Sequence, residues 1–101
     1  MSKVIKKAKD VQVTENQEIT ITELLDVYTK IGYTVRIEKG FFKGGFCLLR
    51  EQKLFLLNRN IEPQKKINFL AKNLSEIGVD GIYLKPNIRE LIDKESQQKL
   101  L

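Results

Sequence analysis

The chain has 101 residues, 42% of them hydrophobic and 31% charged, with a formal net charge of +5; this is the profile of one small globular domain rather than of a disordered or membrane chain. It has no histidine and one cysteine, Cys47, which excludes an intramolecular disulfide, Ser-His-Asp and Cys-His catalysis, and any histidine-based metal site. No apolar run reaches the roughly 18 to 20 residues of a membrane span, and no signal-peptide core follows the basic start, so a cytoplasmic protein without membrane association is expected.

Residues 1–18 keep no sustained period. Lys3, Lys6, Lys7 and Lys9 stand there with no acid among them, so this stretch reads as a basic, partly disordered tail with a short strand near Val11 to Thr14. A single α+β domain is expected over 19–101. From Thr20 the signal sharpens: Thr20 with Glu23 three residues later has the spacing of a capping box, in which hydroxyl and carboxylate each satisfy an orphaned amide at a helix start. Ile21, Leu24, Leu25, Tyr28 and Ile31 then hold one helical face, and Gly32 sits where a left-handed terminator is wanted. The spacing predicts a helix over 21–31.

Tyr33 to Glu38 alternates and is rich in β-branched residues, which predicts a strand with Tyr33, Val35 and Ile37 inward. Lys39-Gly40 turns the chain. Phe46 to Leu49 and Leu54 to Leu57 are two further apolar runs separated by the polar turn Arg50-Glu51-Gln52-Lys53, and the three together predict an antiparallel meander. A second helix opens with Glu62 at the cap and Pro63 at the first helical position, where its missing amide costs nothing. Ile67, Leu70, Ala71, Leu74 and Ile77 form its apolar face, and Gly78 ends it. Val79-Asp80-Gly81 reads as a turn, Ile82-Tyr83-Leu84 as a short strand, and Pro86 as the start of a last helix carrying Ile88, Leu91 and Ile92. The expected fold class is α+β: an N-terminal helix, a three-stranded antiparallel β-meander, an amphipathic helix and a C-terminal helix.

The order of elements from Leu24 to Gly78 resembles the ImmA/IrrE family of zinc metallopeptidases. In that family a helix ending in Leu/Ile-Gly leads into a small meander with a central glycine, a strand ending in asparagine, a short polar segment and a helix bearing A-H-E-x-x-H. The counterparts are Ile31-Gly32, Gly44-Gly45, Leu54 to Asn58, Asn60 to Pro63, and Ala71 to Glu76. The functional residues do not carry over. Two histidines one turn apart grip zinc and the glutamate beside the first activates water, whereas Lys72, Asn73 and Glu76 stand at those positions. The resemblance therefore implies a degenerate, non-catalytic zincin-like core that holds no metal and needs no cofactor.

Phe41-Phe42-Lys43-Gly44-Gly45-Phe46 is the most unusual local sequence, and two readings fit it. Phe41 or Phe42 stacks on bases or a ligand with Lys43 on a phosphate, or the glycines mark a tight crossing and the phenylalanines are core. Lys43, Arg50, Lys53 and Arg59, with Arg36, Lys39, Lys65, Lys66 and Lys72 around them, make the middle of the chain basic. Such a patch suits a nucleic-acid backbone, although no recognition motif accompanies it and a solvated face has the same composition. Cys47, between Phe46 and Leu48, reads as a small core residue; Lys72, Asp80 and Cys47 are the groups an enzyme would have to use, and nothing in their spacing argues for one. The expectation is thus a small non-catalytic accessory domain that binds a protein partner or itself, the alternative being a nucleic-acid-binding module built on 36–72 and the lysine tail.

Overall fold

A computed structural model of the full chain describes residues 14–39 and 45–98. Its elements are α1 (Glu15–Lys30), β1 (Thr34–Glu38), β2 (Phe46–Leu49), β3 (Leu54–Asn58), α2 (Pro63–Ile77) and α3 (Pro86–Gln98). The α+β class holds. The strand expected near Val11 to Thr14 lies outside the described residues apart from Thr14, and Thr14 caps a helix.

That helix, α1, starts six residues before the expected Ile21 and so takes in the end of the stretch read as tail. Its capping box is Thr14 with Gln17: the Gln17 amide donates to Thr14 Oγ1 at 3.1 Å and the Thr14 amide to Gln17 Oε1 at 3.2 Å. Thr20 meanwhile donates its hydroxyl to the Asn16 carbonyl at 2.9 Å, in mid-helix. The spacing Thr-x-x-Glu/Gln occurs twice, and the outer copy wins because Glu15 and Glu18 then occupy the first turn, where the helix dipole favours acids. The other helix ends agree with the sequence. Glu62 stands at the cap position of α2, without a side-chain capping bond, with Pro63 next, and Gly78 ends the helix at φ +99°; Gly32, at φ +86°, follows α1.

The sheet is not a meander. Its order is β1-β3-β2, with β2 and β3 antiparallel but β1 and β3 parallel. The Thr34 amide donates to the Lys53 carbonyl at 2.9 Å at one end of the parallel pair, and the Arg59 amide to the Glu38 carbonyl at 2.8 Å at the other. Composition explains the correction: β3 is apolar on both faces, which suits a central strand, whereas β1 carries Arg36 and Glu38, paired at 2.9 Å, and charge is tolerated at an edge. Ile37 is also less inward than expected. It lies on the helix side yet is 41% exposed, because it stands on the edge strand. Ile82-Tyr83-Leu84 is an irregular connection rather than a strand, with Tyr83 outward and Leu84 buried.

α1 and α2 pack on one face of the sheet, and α3 packs on α2 and more lightly on α1. Leu24, Val27 and Tyr28 of α1, Phe55 and Leu57 of β3, Ile67, Leu70, Ala71 and Leu74 of α2, and Leu84, Ile88 and Ile92 share a single core. Tyr28 stacks on Phe55 with ring centroids 5.2 Å apart and donates its hydroxyl to the Leu70 carbonyl at 2.8 Å, joining helix, strand and helix. Burial pushes its phenol far above the usual range, so it stays neutral. Each fully buried side chain of this kind contributes about 1.5–3 kcal/mol of transfer free energy. Among the described residues no helix is long and apolar enough to cross a membrane.

Candidate interaction surface

Side chains alternate across a strand, and the ring contacts fix which face is which. Phe46 packs on Phe55 at 5.7 Å and on Phe69 of α2 at 4.9 Å, so Phe46, Leu48, Phe55 and Leu57 face the helices. Cys47, Leu49, Leu54 and Leu56 therefore face away. The register aligns Cys47, Leu56 and Arg36 in one row and Leu49, Leu54 and Thr34 in the next. All four apolar residues of this second face are half-buried, and no described helix lies over them. The polar limits of the face are Arg36 with Glu38 on β1 and the turn of 50–53. Lys53 closes that turn at φ +52°, and its amide donates to the Arg50 carbonyl at 3.1 Å.

Gly45 fixes where β2 begins. It has φ +87°, and a Cβ there would lie 3.1 Å from Phe69 Cε2 and 3.4 Å from Ile61 Cδ1. This favours the tight-crossing reading for Gly45 itself: the backbone passes too close to α2 for a side chain. Phe41, Phe42 and Lys43, the other half of that motif, lie outside the described residues.

The remaining candidates are dispersed. Arg50 and Lys53 sit at one end of β3 and Arg59 just beyond the other, roughly 20 Å apart at the rise of an extended strand, and all three are exposed. They do not form one patch. Lys72 and Glu76 are exposed on the outer side of α2, one turn apart, whereas Asn73 is buried, 4% exposed, and donates Nδ2 to the Phe69 carbonyl at 2.8 Å. The first two thus face solvent while the third is a satisfied core amide. Among the described residues no group of three or more Cys, Asp or Glu is placed to hold a metal ion. Cys47 is half-buried on the outward face rather than in the core, and Asp80 is exposed. Asn58 Oδ1 accepts from the Asn60 amide at 3.1 Å, the local turn-capping role asparagine takes at a strand end.

A cleft of about 280 Å³ that local periodicity does not reveal lies between α1 and the segment entering α3, floored by Val27, Leu84 and Ile88 and walled by Tyr83. At its rim Lys85 Nζ donates to Glu23 Oε2 at 2.9 Å and Asn87 Nδ2 to Glu23 Oε1 at 3.1 Å. Hydrogen bonds from Lys85 and Asn87 hold the Glu23 carboxyl below its ordinary value, and the bond to Glu23 holds the Lys85 ammonium above its own. Acid and base are committed to each other here, which ties α1 to α3.

With this geometry in place, comparison with family models, curated proteins and solved structures finds no match.

Proposed function

We propose that this chain is a non-catalytic interaction domain that engages another protein surface through the open face of its sheet. One observation carries the reading: β3 is apolar on both sides, but only its Phe55 and Leu57 side is sealed by helices, at 0% exposure for each, while Leu54 and Leu56 face away with Cys47 and Leu49 beside them. A two-sided apolar strand normally has two covering layers, and here one is described. The pairing of Glu23 with Lys85 and of Asp26 with Lys30, at 3.3 Å, fits a structural rather than a catalytic use of the charged groups. On this reading the likeness to a metallopeptidase core is one of framework, with Lys72, Asn73 and Glu76 doing surface and packing work. The nucleic-acid alternative has less support, because its cations stand at opposite ends of the sheet and Arg36 is already paired with Glu38.

The test is site-specific photo-crosslinking in cells, with a benzophenone side chain placed at Leu56 or, as a control, at Lys72 on the outer side of α2. Discrete protein adducts at Leu56 and none at Lys72 are expected. A natively folded Leu56 probe that yields no adduct overturns the reading.

A further inference from the structure

Beyond that reading, we propose that two copies of this chain join by antiparallel pairing of β2 with β2 about a two-fold axis, making one continuous sheet whose open apolar face stays available to the partner. Among the described strands β2 pairs with β3 alone. Every second residue of Phe46–Leu49 therefore turns its backbone N–H and C=O outward from the sheet edge. Edge strands ordinarily guard these groups with charge, proline or a bulge. β2 has none of the three across Phe46-Cys47-Leu48-Leu49, whereas the opposite edge, β1, carries the Arg36–Glu38 ion pair at 2.9 Å. One bare edge and one guarded edge allow a closed pair and stop a growing ribbon.

The alternation of side chains limits the register. Directly opposed residues of an antiparallel pair lie on the same face of the sheet, so an outward residue of one copy must oppose an outward residue of the other. Within four residues only two arrangements satisfy this and pair more than one residue of each strand: Cys47 against Cys47 of the second copy, or Leu48 against its Leu48 with Cys47 against its Leu49. Both place Cys47 and Leu49 of the two copies side by side, so the apolar face becomes continuous across the axis. The two thiols then sit on directly opposed residues, with Cβ atoms about 4.5–5.5 Å apart, or on diagonal ones about 7–8 Å apart. The single cysteine of the chain is thus a built-in reporter.

The experiment is sedimentation equilibrium of the reduced full chain over a range of concentrations, with a short bis-maleimide crosslinker in parallel. A mass rising from 11.7 kDa to twice that value, with Cys47 crosslinked in the same concentration range, is expected. Cys47→Ser should keep the mass and lose the crosslink. Cys47→Lys, which sets two ammonium groups together at the axis, should weaken association by at least about tenfold. Arg36→Ser on the far edge should leave it unchanged. A chain that stays monomeric, or a dimer in which Cys47 does not crosslink, overturns the inference; the wild-type crosslink decides even where the lysine variant does not fold. A monomer whose Leu56 probe still captures a different protein would sink the dimer and leave the interaction reading standing, whereas no adduct of either kind would sink both.

Discussion

Glu23 shows how one side chain can satisfy a motif and do something else. Its spacing from Thr20 suits a cap, yet its carboxylate accepts from Lys85 and Asn87 across 62 and 64 positions of sequence. Its protonation equilibrium makes the role measurable. The folded-state pKa lies below the ordinary 4.5 and that of Lys85 above its ordinary 10.5. The stabilisation from Glu23 is therefore present at neutral pH and lost as pH falls through the depressed carboxyl value, and that from Lys85 is present below 10.5 and lost as pH rises through the elevated ammonium value. Glu23→Gln should lower the thermal midpoint modestly at pH 7, with the gap to wild type closing as pH drops well below 4.5. The Lys85 side chain is 60% exposed, so added salt should shrink the gap as well. A gap that is constant with pH would assign the loss to something other than the ion pair.

For the elements, α1 offers the clearest contrast between two sequence signals of one kind. Thr14 exchanges two backbone bonds with Gln17, while Thr20 only bonds back to a carbonyl one turn earlier. Thr14→Ala should cost about 1 kcal/mol, a fall of roughly 4–8 °C in the melting midpoint for a domain of this size. Thr20→Ala should stay within about 0.5 kcal/mol of wild type. Chemical denaturation of both variants checks this, and the reverse ranking would move the helix start to Ile21. The strands teach a different lesson. The runs opening at Thr34, Phe46 and Leu54 became strands and Ile82-Tyr83-Leu84 did not, but the residues of β1 say only that it is a strand, and its parallel neighbour is β3, whose Phe55 lies against Tyr28.

Over the whole molecule, cohesion is unequal. α2 packs on both other helices, Phe69 reaches the sheet through Phe46, and Tyr28 bridges α1, β3 and α2. α3 rests mainly on α2, with lighter contact to α1. Native-state hydrogen exchange should accordingly find the slowest amides in β3 and α2, exchanging by global unfolding, and faster exchange along α3 through partial opening. Equal protection in α3 and β3 would show a single cooperative unit instead.

What the residues determined by themselves was local. Apolar periods of helix and strand, Pro63, Pro86 and the glycines at 32 and 78 fixed the class and order of the described elements, because those preferences act within a few bonds of the residue that carries them. Three features needed the tertiary structure. Strand order came from burying one apolar strand between two others, which no single strand encodes. The dispersal of Arg50, Lys53 and Arg59 followed from strand direction, since neighbours in sequence are carried to opposite ends by an extended backbone. The outward face of Cys47, Leu49, Leu54 and Leu56 emerged last. Of its residues Cys47 read as core, and only the packing of α1 and α2 on the other side of the sheet left all four turned away from it.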